Sequence, residues 1–311
     1  GGFSETTTAS FSADAVIGAV DGDATTEATV FEYQFNIGLS TSFTGEDSLD
    51  IAIDSGSDAA ATTTNPMAFD TGASLSVDGV AYSFPLGGAS MVVGNDTDIS
   101  ATFTGACSYS AFTDYMGDCG TGNSAGVGGS GVTATVGYAF DSGFSLAGGI
   151  SGEATTVVSS STVSNGLLTK EGSDIYALEA AYTADSYGLA VAYVSNDGGT
   201  SEGTTFWGVN GTYTPESTSL PSISVGYETS ESGTTDKSGY FVGLTWPEVG
   251  PGSVSVGAAT KGNFADDATE LMIYEASYSY SVNDGLTITP GVFIQETAAG
   301  SNDLTGVLVK S

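Results

Sequence analysis

The chain has 311 residues, with 37 acids, four basic residues, no histidine and a formal net charge of −33. All the basic residues are lysines, too few to neutralise a nucleic-acid backbone, and an acidic surface equally disfavours phosphate-rich substrates. Without histidine there is no serine-type triad and no zinc site of the usual His/Cys kind, so an enzyme would have to work with carboxylates alone.

The 15 Tyr and 15 Phe separate the chain from acidic disordered tails, which are poor in aromatics. Its 45 glycines lack the Gly-x-y period of collagen. Together with Ser, Thr, Ala and Val they point to strands with small side chains on one face. No apolar run is long enough for a transmembrane helix. The opening GGFSE shows no signal-peptide pattern and reads as the start of a processed product.

Alternating apolar and polar residues, broken by Asp/Asn/Gly/Ser turns, predict sixteen strands in chain order. They lie at 3–17, 28–43, 48–54, 73–84, 89–104, 131–140, 143–152, 173–184, 187–195, 203–213, 220–230, 238–246, 252–260, 270–281, 286–296 and 303–311. After the first strand comes a loop at 18–27, then the short turn 44–47 (TGED), a long loop at 55–72 and the short turn 85–88 (PLGG). The longest connection, 105–130, is followed by Asp-Ser at 141–142, a long loop at 153–172 and Asp-Ser at 185–186. The rest are 196–202, 214–219, 231–237, 247–251, 261–269, 282–285 and 297–302, with 231–237 and 261–269 expected to be long.

The faces sort as cleanly as the connections. In FEYQFNIGLS (31–40), Phe31, Tyr33, Phe35, Ile37 and Leu39 share one face, and Glu32, Gln34, Asn36, Gly38 and Ser40 the other. Tyr187, Leu189, Val191 and Tyr193 likewise oppose Gly188, Ala190 and Ala192. A soluble antiparallel sandwich with one wet face would also alternate. Sixteen such strands with no helix, joined by largely alternating short and long connections, favour a membrane barrel with short periplasmic turns and longer external loops. Lipid forces every backbone group to pair, so such a sheet must close. The predicted fold is therefore all-β: one transmembrane antiparallel β-barrel of about 16 strands over residues 1–311, wide enough for an aqueous channel.

Strand parity then selects inward-facing residues: Glu32, Gln34, Asn36, Asp50, Asp54, Glu179, Glu228 and Glu275. A register slip of one residue would turn any of them outward, where lipid makes a carboxylate costly. Carboxylates ringing a pore favour cations, with a reach limited by salt to ~8 Å. In DGDATTE, the residues Asp21, Asp23 and Glu27 offer oxygens to Ca2+ or Mg2+, although the spacing is not that of an EF-hand and a solvated acidic loop is the plainer reading. No other cofactor is expected. Cys107 and Cys119 read as a disulfide of an oxidising compartment or as two reduced thiols.

Three segments resemble the cyanobacterial outer-membrane porins, which are themselves similar to the carbohydrate-selective porins. They are VDGDATTEATVFEYQFNIGLSTSFTGEDSLDIAI (20–53), LSVDGVAYSFPLGGASMVVGND (75–96) and LTITPGVFIQETAAGSNDLTGVLVKS (286–311). The resemblance implies a homotrimeric barrel surrounded by lipid in the outer membrane of a Gram-negative-type bacterium, a cyanobacterium, passing small hydrophilic solutes and ions. It also implies an N-terminal S-layer-homology domain that holds peptidoglycan, which is absent from this sequence. Barrels of this group end in an aromatic residue, whereas Val309, Lys310 and Ser311 close this chain, so a few further residues are expected.

General porins fold the loop after the fifth strand into the lumen. Carried over, residues 105–130 become a constriction loop presenting Tyr109, Asp114, Tyr115 and Asp118, with a helical turn over Ser108–Met116; the alternative is an exposed cap. A Cys107–Cys119 bridge would brace it by ~3 kcal/mol on the loop-entropy account. The leading functional expectation is a passive, cation-preferring channel and not an enzyme. An acidic surface-structural or adhesive protein would call for a fixed short repeat, and a glycan-cleaving enzyme for a carboxylate pair; the sequence displays neither.

Overall fold

The computed structural model describes residues 7–22, 27–57, 69, 72–120, 131–153, 155–158, 161–164, 167–298 and 300–311. Sixteen long strands run antiparallel: β1 (Thr7–Asp21), β2 (Ala28–Thr41), β3 (Ser48–Gly56), β4 (Ser76–Leu86), β5 (Ala89–Asn95), β6 (Val132–Ala139), β7 (Phe144–Gly152) and β8 (Asp174–Thr183). The second half comprises β9 (Tyr187–Asn196), β10 (Thr204–Tyr213), β11 (Ser222–Ser232), β12 (Thr235–Val249), β13 (Gly252–Thr260), β14 (Met272–Asn283), β15 (Leu286–Gln295) and β16 (Leu304–Lys310). Each pairs with its neighbours in sequence, and β1 pairs with both β2 and β16, which closes the barrel. Closure falls where Val16 to Asp21 face Lys310 to Thr305.

The outer face is apolar and ends in two aromatic belts. Tyr176 and Tyr182, Tyr187 and Tyr193, Trp207 and Tyr213, and Tyr274 and Tyr280 each sit six residues apart on one strand. At 3.2–3.4 Å per residue that is roughly 20 Å along the strand, or about 15 Å of height for strands tilted by about 40°, so the ring pairs flank the middle of an apolar band about 25 Å tall. The rings meet within each belt: Tyr193 and Trp207 lie 4.7 Å apart at one end, and Phe144 and Tyr182 4.7 Å apart at the other. In FEYQFNIGLS, Phe31 and Tyr33 are exposed on this face while Glu32 is buried on the other.

Several element boundaries differ from the sequence expectation, three of them with consequences for the barrel. The loop expected at 231–237 is a two-residue turn: pairing runs through Glu231–Asp236 to Ser232–Thr235, and Gly233, with φ +62°, takes the backbone conformation that a tight hairpin demands. The fifth strand ends at Asn95 instead of 104, because Asp96 turns the chain with φ +53° and residues Ile99–Thr102 form a 3-10 turn. The first strand runs to Asp21 instead of 17, since closure against β16 uses its last six residues. A small hairpin, Thr155–Val158 with Ser161–Ser164, stands apart from the barrel sheet.

The turn joining β2 to β3 is organised by Asp47. Its carboxylate accepts hydrogen bonds from Ser42 Oγ, the Phe43 amide, the Thr44 amide and Oγ1, and the Tyr82 hydroxyl, at 2.6–2.9 Å. The Tyr82 bond, then the Thr44 amide, hold its pKa far below the usual carboxylate range.

Two predictions follow from these observations. Leu178, 63 % exposed between Tyr176 and Tyr182, should cost about 2–4 kcal/mol of barrel stability when replaced by Arg, against about 0.5 kcal/mol or less for Ser12→Arg on the wet face; urea titration in lipid vesicles measures both. Asp47 contributes stability that is fully present above the unfolded carboxylate pKa of about 4 and is lost as pH falls through its much lower folded value. The stability gap between wild type and Asp47→Asn should therefore be constant at neutral pH and narrow only in acid below about pH 4, as read by urea midpoints across pH.

Candidate functional site

Beyond Asn95 the chain turns inward and follows the barrel wall from β6 to β15. Ile99 enters first, buried against Ala177 of β8 and Val194 of β9. Thr102 Oγ1 meets Thr135 Oγ1 of β6 at 2.6 Å, and Thr104 Oγ1 meets Ser145 Oγ of β7 at 2.6 Å. The Thr104 amide donates to Glu179 Oε1 at 2.6 Å, with the Gly105 amide 3.3 Å from the same carboxylate. The Ala106 amide donates to Asn210 Oδ1 at 2.9 Å, and Ser108 Oγ reaches Ser224 Oγ at 3.3 Å.

Glu275 on β14 is the strongest fastening. It accepts from Tyr109 Oη (2.9 Å), the Phe112 amide (2.8 Å), the Thr113 amide (2.8 Å) and Thr113 Oγ1 (2.6 Å). A carboxylate that accepts several N–H and O–H bonds makes charge-assisted contacts stronger than neutral ones. Burial, then the Glu275 charge, push the Tyr109 phenol well above its ordinary range, so it remains a donor. Cys107 and Cys119 are disulfide-bonded, with Cα atoms 5.6 Å apart, and close the segment around these contacts. Residues 103–111 run without regular structure and a 3-10 helix spans Asp114–Gly120, so the helical turn expected over Ser108–Met116 lies further along the chain.

The wall is shaped to receive this segment. A β-carbon added to Gly291 would lie 2.6 Å from the Phe112 ring, and one on Gly257 2.6 Å from the Tyr109 hydroxyl. On Gly226 and Gly243 it would overlap the Cys119 carbonyl and the Tyr109 ring. Between these glycines, Phe241, Ala259 and Ile273 bury Met116 and Cys119. Phe112 continues into a second cluster with Phe293, Leu304, Leu308, Val16, Val20 and Phe69, the last from the β3–β4 connection.

This packing changes the standing of three predicted acids. Glu179, Glu228 and Glu275 face inward, but they are 7 %, 0 % and 4 % exposed. Glu179 and Glu275 lie between wall and inserted chain and not against open water. Glu228 accepts from Asn263 Nδ2 at 2.6 Å, in the β13–β14 connection, whose Phe264 and Ala265 pair with β12. Of the sequence-predicted inward residues, Gln34, Asn36 and Asp50 on β2 and β3 stay partly accessible, as does Asp14 on β1. Gln34 Nε2 donates to Asp14 Oδ2 at 3.2 Å, Asp50 accepts from Ser48 Oγ at 2.8 Å, and Asn36 is half-buried. Asp54 is 7 % exposed and accepts from Ser76 Oγ at 3.0 Å. On the inserted segment Asp114 and Tyr115 are exposed; the side chain of Asp118 lies outside the described residues. A cavity of about 710 Å³, lined by polar and apolar groups alike, opens between the first leg of the segment and the β3–β7 wall, beside Ser48, Ser83, Ser90, Ser145, Phe84 and Phe103.

Of the candidate metal residues, Asp21 and Glu27 are exposed and Asp23 lies outside the described residues. Among the described residues no three acids cluster as metal ligands. Asp14, Asn210 and Phe69 were not singled out from sequence. Parity would have found the first two, whereas nothing local marks Phe69 as an inward residue.

No family profile and no curated sequence matches the chain. Its fold is that of bacterial outer-membrane porins. OmpT of Vibrio cholerae with loop L8 deleted shares 12 % identity at a TM-score of 0.66, over 98 % of this chain and 99 % of that one. A solved porin shares 13 % at 0.63, over 97 % and 99 %. A triple-mutant porin of Rhodopseudomonas blastica shares 15 % at 0.58, over 97 % and 99 %.

Glu275→Ala leaves four donors without their acceptor, two of them backbone amides. With hydrogen bonds to charged groups worth about 1.5–3 kcal/mol each and not additive, docking of the segment should weaken by about 3 kcal/mol or more. Limited proteolysis of the folded barrel should then cut between 96 and 120, where wild type resists.

Proposed function

We propose that this chain forms a water-filled channel for small hydrophilic solutes and inorganic ions in the outer membrane of a Gram-negative-type bacterium, in keeping with its resemblance to cyanobacterial porins. The observation that carries this reading is a closed barrel, apolar outside and polar within, with a chain segment fastened along its inner wall. Residues 96–120 act as the constriction, with Asp114 and Tyr115 on their exposed side. The in-vitro folded OmpT of Vibrio cholerae was solved in a trimer form, which supports a homotrimer here. No catalytic role is proposed, because Glu179 and Glu275 serve as acceptors for the inserted segment and Glu228 as acceptor for Asn263.

Cation preference rests on a narrower set of groups than a full ring of acids. Asp14 and Asp50 on the β1–β3 wall and Asp114 on the inserted segment supply the negative potential, and the chain has no arginine to oppose it. Negative groups lining a passage raise the local concentration of cations.

Purified protein in a planar bilayer under a tenfold KCl gradient should show stepwise conductance and a reversal potential of the sign for K+ over Cl−. Asp14→Asn with Asp50→Asn should move that potential toward zero. Anion preference would overturn the assignment of these carboxylates, and silence from folded protein would overturn the channel itself.

A further inference from the structure

Glu32 stands apart from the other inward acids. It is 9 % exposed, and its Oε2 has no hydrogen-bond partner. The acids at 179, 228 and 275 each accept a donor from an inserted segment; Glu32 Oε2 accepts none. A buried carboxylate oxygen without a donor is costly, and such an atom in a folded protein calls for an ion or an ordered water.

Register identifies what surrounds it. The β1–β2 ladder sets Val16 opposite Glu32 and Asp14 opposite Gln34, so all four side chains share the inner face. Asp14 and Glu32 are diagonal neighbours, about 7–8 Å apart at the backbone, close enough for both carboxylates to reach one ion. Gln34 already orients Asp14 through its Nε2, which leaves its amide oxygen available as an acceptor. Lys310 lies across Val16 in the same row, yet its ammonium sits over the Phe69 ring, 5.9 Å from the centroid, and not on Glu32.

We infer that Glu32, Asp14 and Gln34 form a lumenal site for a divalent hard cation of the calcium class on the β1–β2 wall. Two carboxylates and an amide carbonyl are the oxygen donors such an ion takes, with water completing a shell of six to eight ligands at about 2.3–2.6 Å. Two negative charges match one divalent ion, whereas a monovalent ion would leave the pair under-neutralised. An occupied site would reduce the negative potential on the wall that the proposed function assigns to cation entry. Calcium would then throttle the K+ current without touching the inserted segment.

The test is K+ current through single channels in KCl as CaCl2 is raised to millimolar levels. Wild type should lose current several-fold. Glu32→Gln, which keeps the shape and removes the charge, should shift the half-blocking concentration at least tenfold upward, and Asp14→Asn should shift it in the same direction. Asp266→Asn, in an external loop, should leave it unchanged. Equal calcium sensitivity in wild type, Glu32→Gln and Asp14→Asn overturns the site, as does no calcium effect on a working channel. Should Glu32→Gln fail to insert, Asp14→Asn and Gln34→Leu decide the matter alone. Silence from folded wild type counts against the channel and not the site, which is then read by thermal unfolding in detergent. Calcium should raise the midpoint of wild type and not of Asp14→Asn, and equal shifts overturn the site.

Discussion

Every feature of this molecule depends on one constraint: in hydrocarbon no backbone N–H or C=O can go unpaired. The strands satisfy it with their neighbours, and β1 completes the ring by pairing with β2 along one edge and β16 along the other. Closure removes edges and creates an inside. Once there is an inside, the two-residue period of a strand assigns each side chain to lipid or to lumen without further choice. The aromatic belts and the polar lumen are both consequences of that single alternation.

The inner face carries a second level of organisation. Small residues there do more than avoid crowding. Gly226, Gly243, Gly257 and Gly291 make room for Tyr109, Phe112 and Cys119, and the acids between them accept the backbone donors that an inserted, irregular segment would otherwise leave unsatisfied. Buried polar groups need partners, and an extended segment inside a barrel brings many. Glu179, Asn210 and Glu275 answer amides at successive points along it. Charge that looked available to permeating ions is thereby committed to structure on one side of the lumen. The accessible acids remain on the other.

Much of this was legible in the residues. The alternation in FEYQFNIGLS and in residues 187–193 marks the lipid face, and the number of strands follows from turns rich in Gly, Asp and Ser. What strand parity does not convey is depth. It places Glu228 and Glu275 inside but cannot say whether water or another piece of chain meets them, because that depends on contacts with residues 35 and 163 positions away. The tight turn at Gly233 was hidden for a local reason: ETSESGTTDKS is polar on both faces, so nothing marks where pairing stops. The end of β5 was hidden likewise, since Thr102 and Phe103 continue an alternating pattern after Asp96 has left the sheet.

The inserted segment has an implication for how the molecule is made. Phe112 and Glu275 are separated by 163 positions, and the seat is shared by strands from both halves of the chain. A disulfide between residues 12 apart can form as soon as the segment exists, but its resting place cannot exist until β14 and β15 have been added. The first leg of the segment can meet β6 to β10 earlier, but the stretch from Tyr109 to Thr113 has no seat until β14 is present. Contacts of such long sequence separation form late and slowly. Full seating of the inserted segment thus waits on the strands that close the barrel, so its fastening to Glu275 reports that the ring is complete.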